Sequence, residues 1–86
     1  GANGAAKPSR TRVVYNKAIE KYIVRFDPQW KKADVQVFDM SGKLIISQKD
    51  VKTNSDFEIN LSKINQAYIV TAVSETGEKV SSKIVR

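Results

Sequence analysis

The sequence has no cysteine and no histidine, and it carries a single tryptophan and a single methionine. Without cysteine there are no disulfide staples, and without either residue there is no thiolate or imidazole zinc site. The usual nucleophile–base pairings of covalent catalysis are missing as well, since they draw on cysteine or histidine. No run approaches the ~20 apolar residues of a membrane-spanning helix. Neither an initiator methionine nor the apolar core of a signal peptide stands near the start, so the chain is expected to be a piece of a longer protein. Proline occurs twice and glycine four times, and they fall between apolar stretches rather than within them.

The 86 residues suffice for one domain. A domain this small buries about 60% of its unfolded surface, so packing alone must supply a margin of a few kcal/mol. The net charge of +6 is uneven. Lys7, Arg10 and Arg12 give +3 in the first twelve residues with no acid among them, and the other twelve basic residues face nine acidic ones. The body of the chain is therefore only mildly basic, with its signs interspersed. Nucleic-acid binding wants a concentrated basic stripe with stacking aromatics. Lys31 and Lys32 beside Trp30 come nearest to that, and a solvated loop explains them better.

The clearest local pattern is Val35-Gln36-Val37-Phe38-Asp39-Met40-Ser41-Gly42-Lys43-Leu44-Ile45-Ile46-Ser47. Apolar alternation predicts a strand, the Asp-Met-Ser-Gly break predicts a turn, and the β-branched run after it predicts a second strand. Asp39 is expected to act as the acceptor of that turn, and Gly42 to supply positive φ. The same reasoning predicts strands over 12–15, 21–26, 33–40, 43–48, 56–61, 67–73 and 79–85. Tyr22, Val24 and Phe26 should share one face, as should Phe57, Ile59 and Leu61. Residues 67–73 are the most apolar strand and should lie centrally. Residues 16–20 read as a connection, 27–32 and 49–55 as loops, and 75–78 as a second hairpin turn around Gly77. Trp30 is expected to lid one end of the core, and Ile64 to plug an open end. Residues 1–12 read as a flexible leader, a natural linker or a cloning remnant, with the domain over 13–86. About seven strands and no helix predict an all-β, immunoglobulin-like antiparallel sandwich with Greek-key character.

Catalysis finds little support. The carboxylates at 27, 34, 39, 50, 56, 58, 75 and 78 fall at turns or on polar faces, where turn formation and solubility account for them. They do not form the ligand run of an EF-hand loop, and no glycine-rich phosphate cradle occurs. The expectation is a domain that is not an enzyme and uses no cofactor or metal.

The hairpin quoted above resembles the valine-x-valine-aromatic-Asp-x-Ser/Thr-Gly-Lys/Arg hairpin of type IX secretion system C-terminal sorting domains. Ile59-Asn60-Leu61-Ser62 resembles that family's isoleucine-Asp-leucine-Ser strand end. Tyr68-Ile69-Val70 resembles its tyrosine-centred strand, and Ser82-Lys83-Ile84-Val85-Arg86 its basic-apolar terminus. The resemblance spans residues 13–86 and is strongest from Ala33 onward. It departs from the family at Tyr15-Asn16-Lys17-Ala18, where a Pro-Asn-Pro turn is usual. It departs again at Gln66, where glycine is common, so Asn65 is expected to carry any positive φ needed there.

The resemblance implies a non-catalytic sorting signal of Bacteroidetes-type bacteria. The partners it implies are the type IX translocon and shuttle proteins of the outer membrane and a sortase-like peptidase, with no nucleic acid and no direct membrane insertion. The parent protein would pass through the periplasm to the outer membrane, the cell surface or the medium, with the domain cleaved before Val13 or retained. The terminal strand is expected at a sheet edge, with Lys83, Ile84, Val85 and Arg86 forming the recognition segment and backbone pairing contributing. Asp39, Gly42, Lys43 and Tyr68 then belong to the fold-specifying motif. Two other functions fit the same fold: an adhesive or carbohydrate-binding module, which would want exposed aromatics, and a passive spacer.

Overall fold

Alternating apolar residues and turn-forming breaks give seven strands and no helix among the described residues. The computed structural model describes residues 9–63 and 65–86, so the expected plug at Ile64 and most of the expected leader lie outside them. The strands are β1 (Arg12–Asn16), β2 (Lys21–Arg25), β3 (Lys32–Asp39), β4 (Leu44–Lys52), β5 (Phe57–Ile59), β6 (Ala67–Ser74) and β7 (Lys79–Val85). One antiparallel sheet has the order β1-β2-β5 and the other β4-β3-β6-β7. The chain changes sheet after β2, β4 and β5, which is the Greek-key connection of an immunoglobulin-like sandwich.

The facing sides of both sheets build the core. Val24, Phe26 and Ile59 come from the first sheet or its immediate continuation. Ala33, Val35, Val37, Tyr68, Val70, Ala72 and Ile84 come from the second. Val24, Val35, Val37 and Val70 are completely buried. β6 lies inside its sheet, as its apolar sequence predicts, and Phe57 and Leu61 pack half-buried against the core. Trp30 tilts against Phe26 with ring centroids 6.3 Å apart and closes one end of the core at 4% exposure.

Three boundaries differ from the pattern in the sequence. β4 continues through 49–52, where a loop is predicted, because a bulge absorbs the polar residues. Val35 pairs with Gln48 and Ala33 with Val51, so Lys49 and Asp50 together oppose Asp34. Asp50 takes φ 56°, and its amide donates to the Asp34 carboxylate at 3.0 Å. β5 is shorter than residues 56–61, since only Phe57–Ile59 finds a partner, on β2. The folded part begins before Val13. Arg12 already lies in β1, Thr11 is buried, and the Asp27 carboxylate accepts from the Arg10 amide at 2.8 Å while the Asp27 amide donates to the Thr11 hydroxyl at 2.8 Å. The predicted connection at 16–20 is a tight hairpin loop, in which Asn16 accepts from the Ala18 amide and Glu20 takes φ 55°.

Candidate functional site

The β3–β4 turn follows from three adjacent residue types. Asp39 accepts through one carboxylate oxygen from the Ser41 amide (2.9 Å), the Ser41 hydroxyl (2.6 Å) and the Lys43 amide (2.9 Å). Its carbonyl accepts from the Gly42 amide at 3.0 Å, and its own amide donates to the Lys43 carbonyl at 2.9 Å. Gly42 has φ +90°, a conformation that side-chain-bearing residues avoid. Pairing passes from Val37–Ile46 to Phe38–Leu44, leaving Ile45 as the extra residue of a bulge. The Ser41 hydroxyl, then the Lys43 amide, hold the Asp39 carboxyl below its ordinary range.

The β6–β7 turn repeats the arrangement with serine in place of aspartate. Ser74 Oγ accepts from the amides of Thr76 and Glu78, the Ser74 carbonyl accepts from Gly77, and Gly77 has φ +89°. Because β3 and β6 run antiparallel, the two matching turns cap opposite ends of one sheet.

The chain terminus is anchored at the Asp39 end. β7 is an edge strand, as predicted, but its last residues bridge the two sheets. The Val85 carbonyl accepts from the Tyr22 hydroxyl at 2.8 Å, and an Arg86 guanidinium nitrogen donates to the Glu20 carbonyl at 3.3 Å. The Arg86 amide donates to the Gln66 carbonyl at 2.9 Å, and the Asn65 amide to the Arg86 carbonyl at 2.6 Å. Asn65 takes φ 60°, so it does carry the positive φ that the departure at Gln66 shifts onto it. Tyr68 is buried opposite Ile84, and its hydroxyl reaches the Lys63 carbonyl at 3.2 Å. Tyr68, Asp39 and Lys43 line one hollow of about 240 Å³ together with Ile45, Leu61 and Lys63.

The four residues of the predicted recognition segment therefore part company. Lys83 and Val85 are exposed and project from the outer face of the sheet, with Val85 60% exposed. Ile84 is only 4% exposed and belongs to the core, so it touches a partner only if the strand unpairs. Arg86 is half-buried and engaged through its backbone and its guanidinium.

The same outer face carries a feature that the sequence reading did not single out. Register places Leu44, Phe38, Ile69 and Lys83 side by side across all four strands. Ala67 and Val85 form the next pair towards the terminus. Met40 and Leu44 are 57% and 46% exposed. In the other direction the row is Ser47, Gln36, Thr71 and Ser81, which is wholly polar. Apart from the half-buried Val73 one row further on, the apolar side chains of this face lie at the end holding the turn and the terminus, with Lys83 beside them. The signal was present in residues 67–73, where Ala67 and Ile69 alternate with the inward Tyr68 and Val70 yet are themselves apolar.

Trp30 presents no exposed ring face for stacking, since it is buried against Phe26. Among the described residues no three of Asp, Glu, His or Cys converge as a metal-holding group. No curated protein and no solved structure matches the chain. Residues 27–86, which run from the loop before β3 to the end of β7 and so include both glycine turns and the exposed apolar face, match the family described as a domain of unknown function (DUF8694), and the chain belongs to that family.

Proposed function

We propose that this domain is a non-catalytic C-terminal secretion signal of the type IX kind. Its parent protein would be carried through the outer-membrane translocon, and the domain then removed by a sortase-like peptidase or retained. The observation that carries the reading is the outer face at the end of β7. There an edge strand displays Lys83 and Val85 beside Leu44, Phe38 and Ile69, while Ile84 holds the strand in the core. A partner gains backbone hydrogen bonds from an edge and specificity from the side chains that alternate along it. The engaged Val85 and Arg86 carbonyls leave side-chain contacts as the larger part of recognition at the last two residues. Asp39, Gly42 and Lys43 support the site by fixing the turn from which Leu44 starts. A peptidase needs extended, unpaired backbone. The tether of Arg10 and Thr11 to Asp27 supports narrowing the proposed cleavage before Val13 to a bond N-terminal to Arg10.

The test is export of a reporter fused to residues 1–86 in a bacterium with this machinery, followed by immunoblotting of surface and periplasm. Arrival at the surface, with the domain lost or kept, is the expected result. Periplasmic retention of a folded fusion contradicts the proposal.

A further inference from the structure

At the end of the sandwich opposite the Asp39 turn, a groove of about 710 Å³ opens between the β2–β3 loop and the residues after β4. Phe26, Pro28 and Trp30 give it an apolar wall, and Lys31, Lys32 and Lys52 give it a cationic one. Lys32 and Lys52 are direct cross-strand partners, an arrangement in which like charges oppose the fold. Among the described residues none of the three ammonium groups has an ion-pair partner. Two acids are close by: the Lys31 amide first, and the Lys31 charge with it, hold the Glu75 carboxyl below its ordinary range, and Asp56 itself lines the groove. Glu75 accepts from the backbone amides of Lys31 and Lys32 at 3.1 and 3.3 Å, and Asp56 lies 3.6 Å from Arg25.

A second observation comes from the apolar wall. Trp30 is 4% exposed, and its indole Nε1–H has no acceptor among the described residues. Buried donors are nearly always paired, so an orphan on a residue that lines the same groove as three lysines points to an acceptor that the described residues do not supply.

We propose that this groove binds a phosphate or sulfate monoester, its oxyanion on Lys31, Lys32 and Lys52 and its organic body over the exposed Pro28, with only the edges of the buried Phe26 and Trp30 reaching it. Lysine meets such an anion as a point charge, and a tetrahedral oxyanion offers several acceptors to several ammonium groups at once. The volume exceeds the needs of a bare oxyanion and lies within the range of small-molecule sites, about 300–1,000 Å³. The site is at the far end from Lys83 and Val85 and does not rest on the sorting reading.

The test is thermal unfolding of the full chain at matched ionic strength with glucose 6-phosphate, glucose 6-sulfate, inorganic phosphate, glucose or sodium chloride. It is paired with the NMR cross-peak of the single indole. A monoester at about ten times its Kd should raise Tm by about 6–11 °C and shift the indole signal. The phosphate and sulfate arms then identify the monoester. The response should vanish in K32Q/K52Q and persist in K63Q/K83Q, which removes the same charge at the other end. Equal responses in the two double variants, or equal stabilisation by chloride, overturn the proposal. A shift from inorganic phosphate as large as from the monoester overturns the role given to the apolar wall. Stronger stabilisation by hexaglutamate assigns the groove to an acidic protein segment and also overturns it.

Discussion

Ile84 and Val85 are adjacent, yet one is buried and the other exposed, and substituting each separates folding from the proposed recognition. Ile84 is 4% exposed and stands across from Tyr68, itself 3% exposed. Truncation to alanine removes three buried carbons from a well-packed layer. Such changes cost about 2–5 kcal/mol, and the edge position of β7 allows partial collapse, so the lower half of that range applies, about 2–3 kcal/mol. For a domain of this size about 1 kcal/mol corresponds to roughly 4–8 °C, so Ile84→Ala should lower Tm by about 10–20 °C. Val85 is 60% exposed with its side chain outside the core, and Val85→Asp should change stability by no more than about 0.5–1 kcal/mol. Circular dichroism melts of both variants beside the parent chain measure this directly. A Tm loss for Val85→Asp equal to that for Ile84→Ala would refute the assignment of faces on β7. The same reasoning disqualifies truncation as a recognition test. Removing residues 83–86 takes Ile84 from the core and strips the Arg86 pairing from Asn65 and Gln66, so loss of export would follow from unfolding alone.

Further outcomes follow from the turns and the carboxylates. Gly42→Ala and Gly77→Ala should each cost about 1 kcal/mol and act additively in melts, because a Cβ at either site meets nothing within 4 Å and only the backbone is strained. Glu20→Gly should raise stability by about 0.5–1 kcal/mol, since Glu20 holds φ 55° without a side-chain role in the β1–β2 loop. Asp27, Asp39 and Glu75 all have lowered folded pKa values, caused first by the Arg10 amide, the Ser41 hydroxyl and the Lys31 amide respectively. The unfolded chain binds these protons more readily. Their stabilisation is therefore complete above the ordinary values of 3.8 and 4.5 and is lost as the pH falls towards the lowered folded values. Denaturant midpoints should fall below about pH 4 in the parent chain, and a triple D27N/D39N/E75Q variant should show a flatter acid limb.

Much of this architecture was legible because strands with one buried face write a period of two into the sequence. Val35 and Val37 around Gln36, and Phe57 and Ile59 around Glu58, could be assigned to the inside before any coordinates. Gly42 and Gly77 marked turns for the same local reason. What escaped the period was geometry held by single side chains. Asp34 capping the Asp50 amide lets β4 run on through residues that read as a loop, and no periodic signal marks a bulge. Residues 60 and 61 alternate with β5 but pair with no strand among the described residues, so alternation overstated its length. At the candidate site the sequence placed Lys83 to Arg86 together, but chain neighbours in a strand face opposite ways, and only Lys83 and Val85 reach the outer face. The apolar patch they adjoin depends on register between β3, β4, β6 and β7, which no single segment contains.

The central claim is that Lys83 and Val85, displayed on a folded domain, are what an export machinery reads. The measurement that tests it most directly is surface delivery of a reporter carrying the double variant Lys83→Glu/Val85→Asp, compared with the parent chain and with the control Ser47→Asp on the polar part of the same face. Melts of the purified domains establish that all three are folded. Periplasmic retention of the folded double variant, with normal delivery of the parent and the control, is the predicted result. Undiminished delivery of the double variant would contradict it.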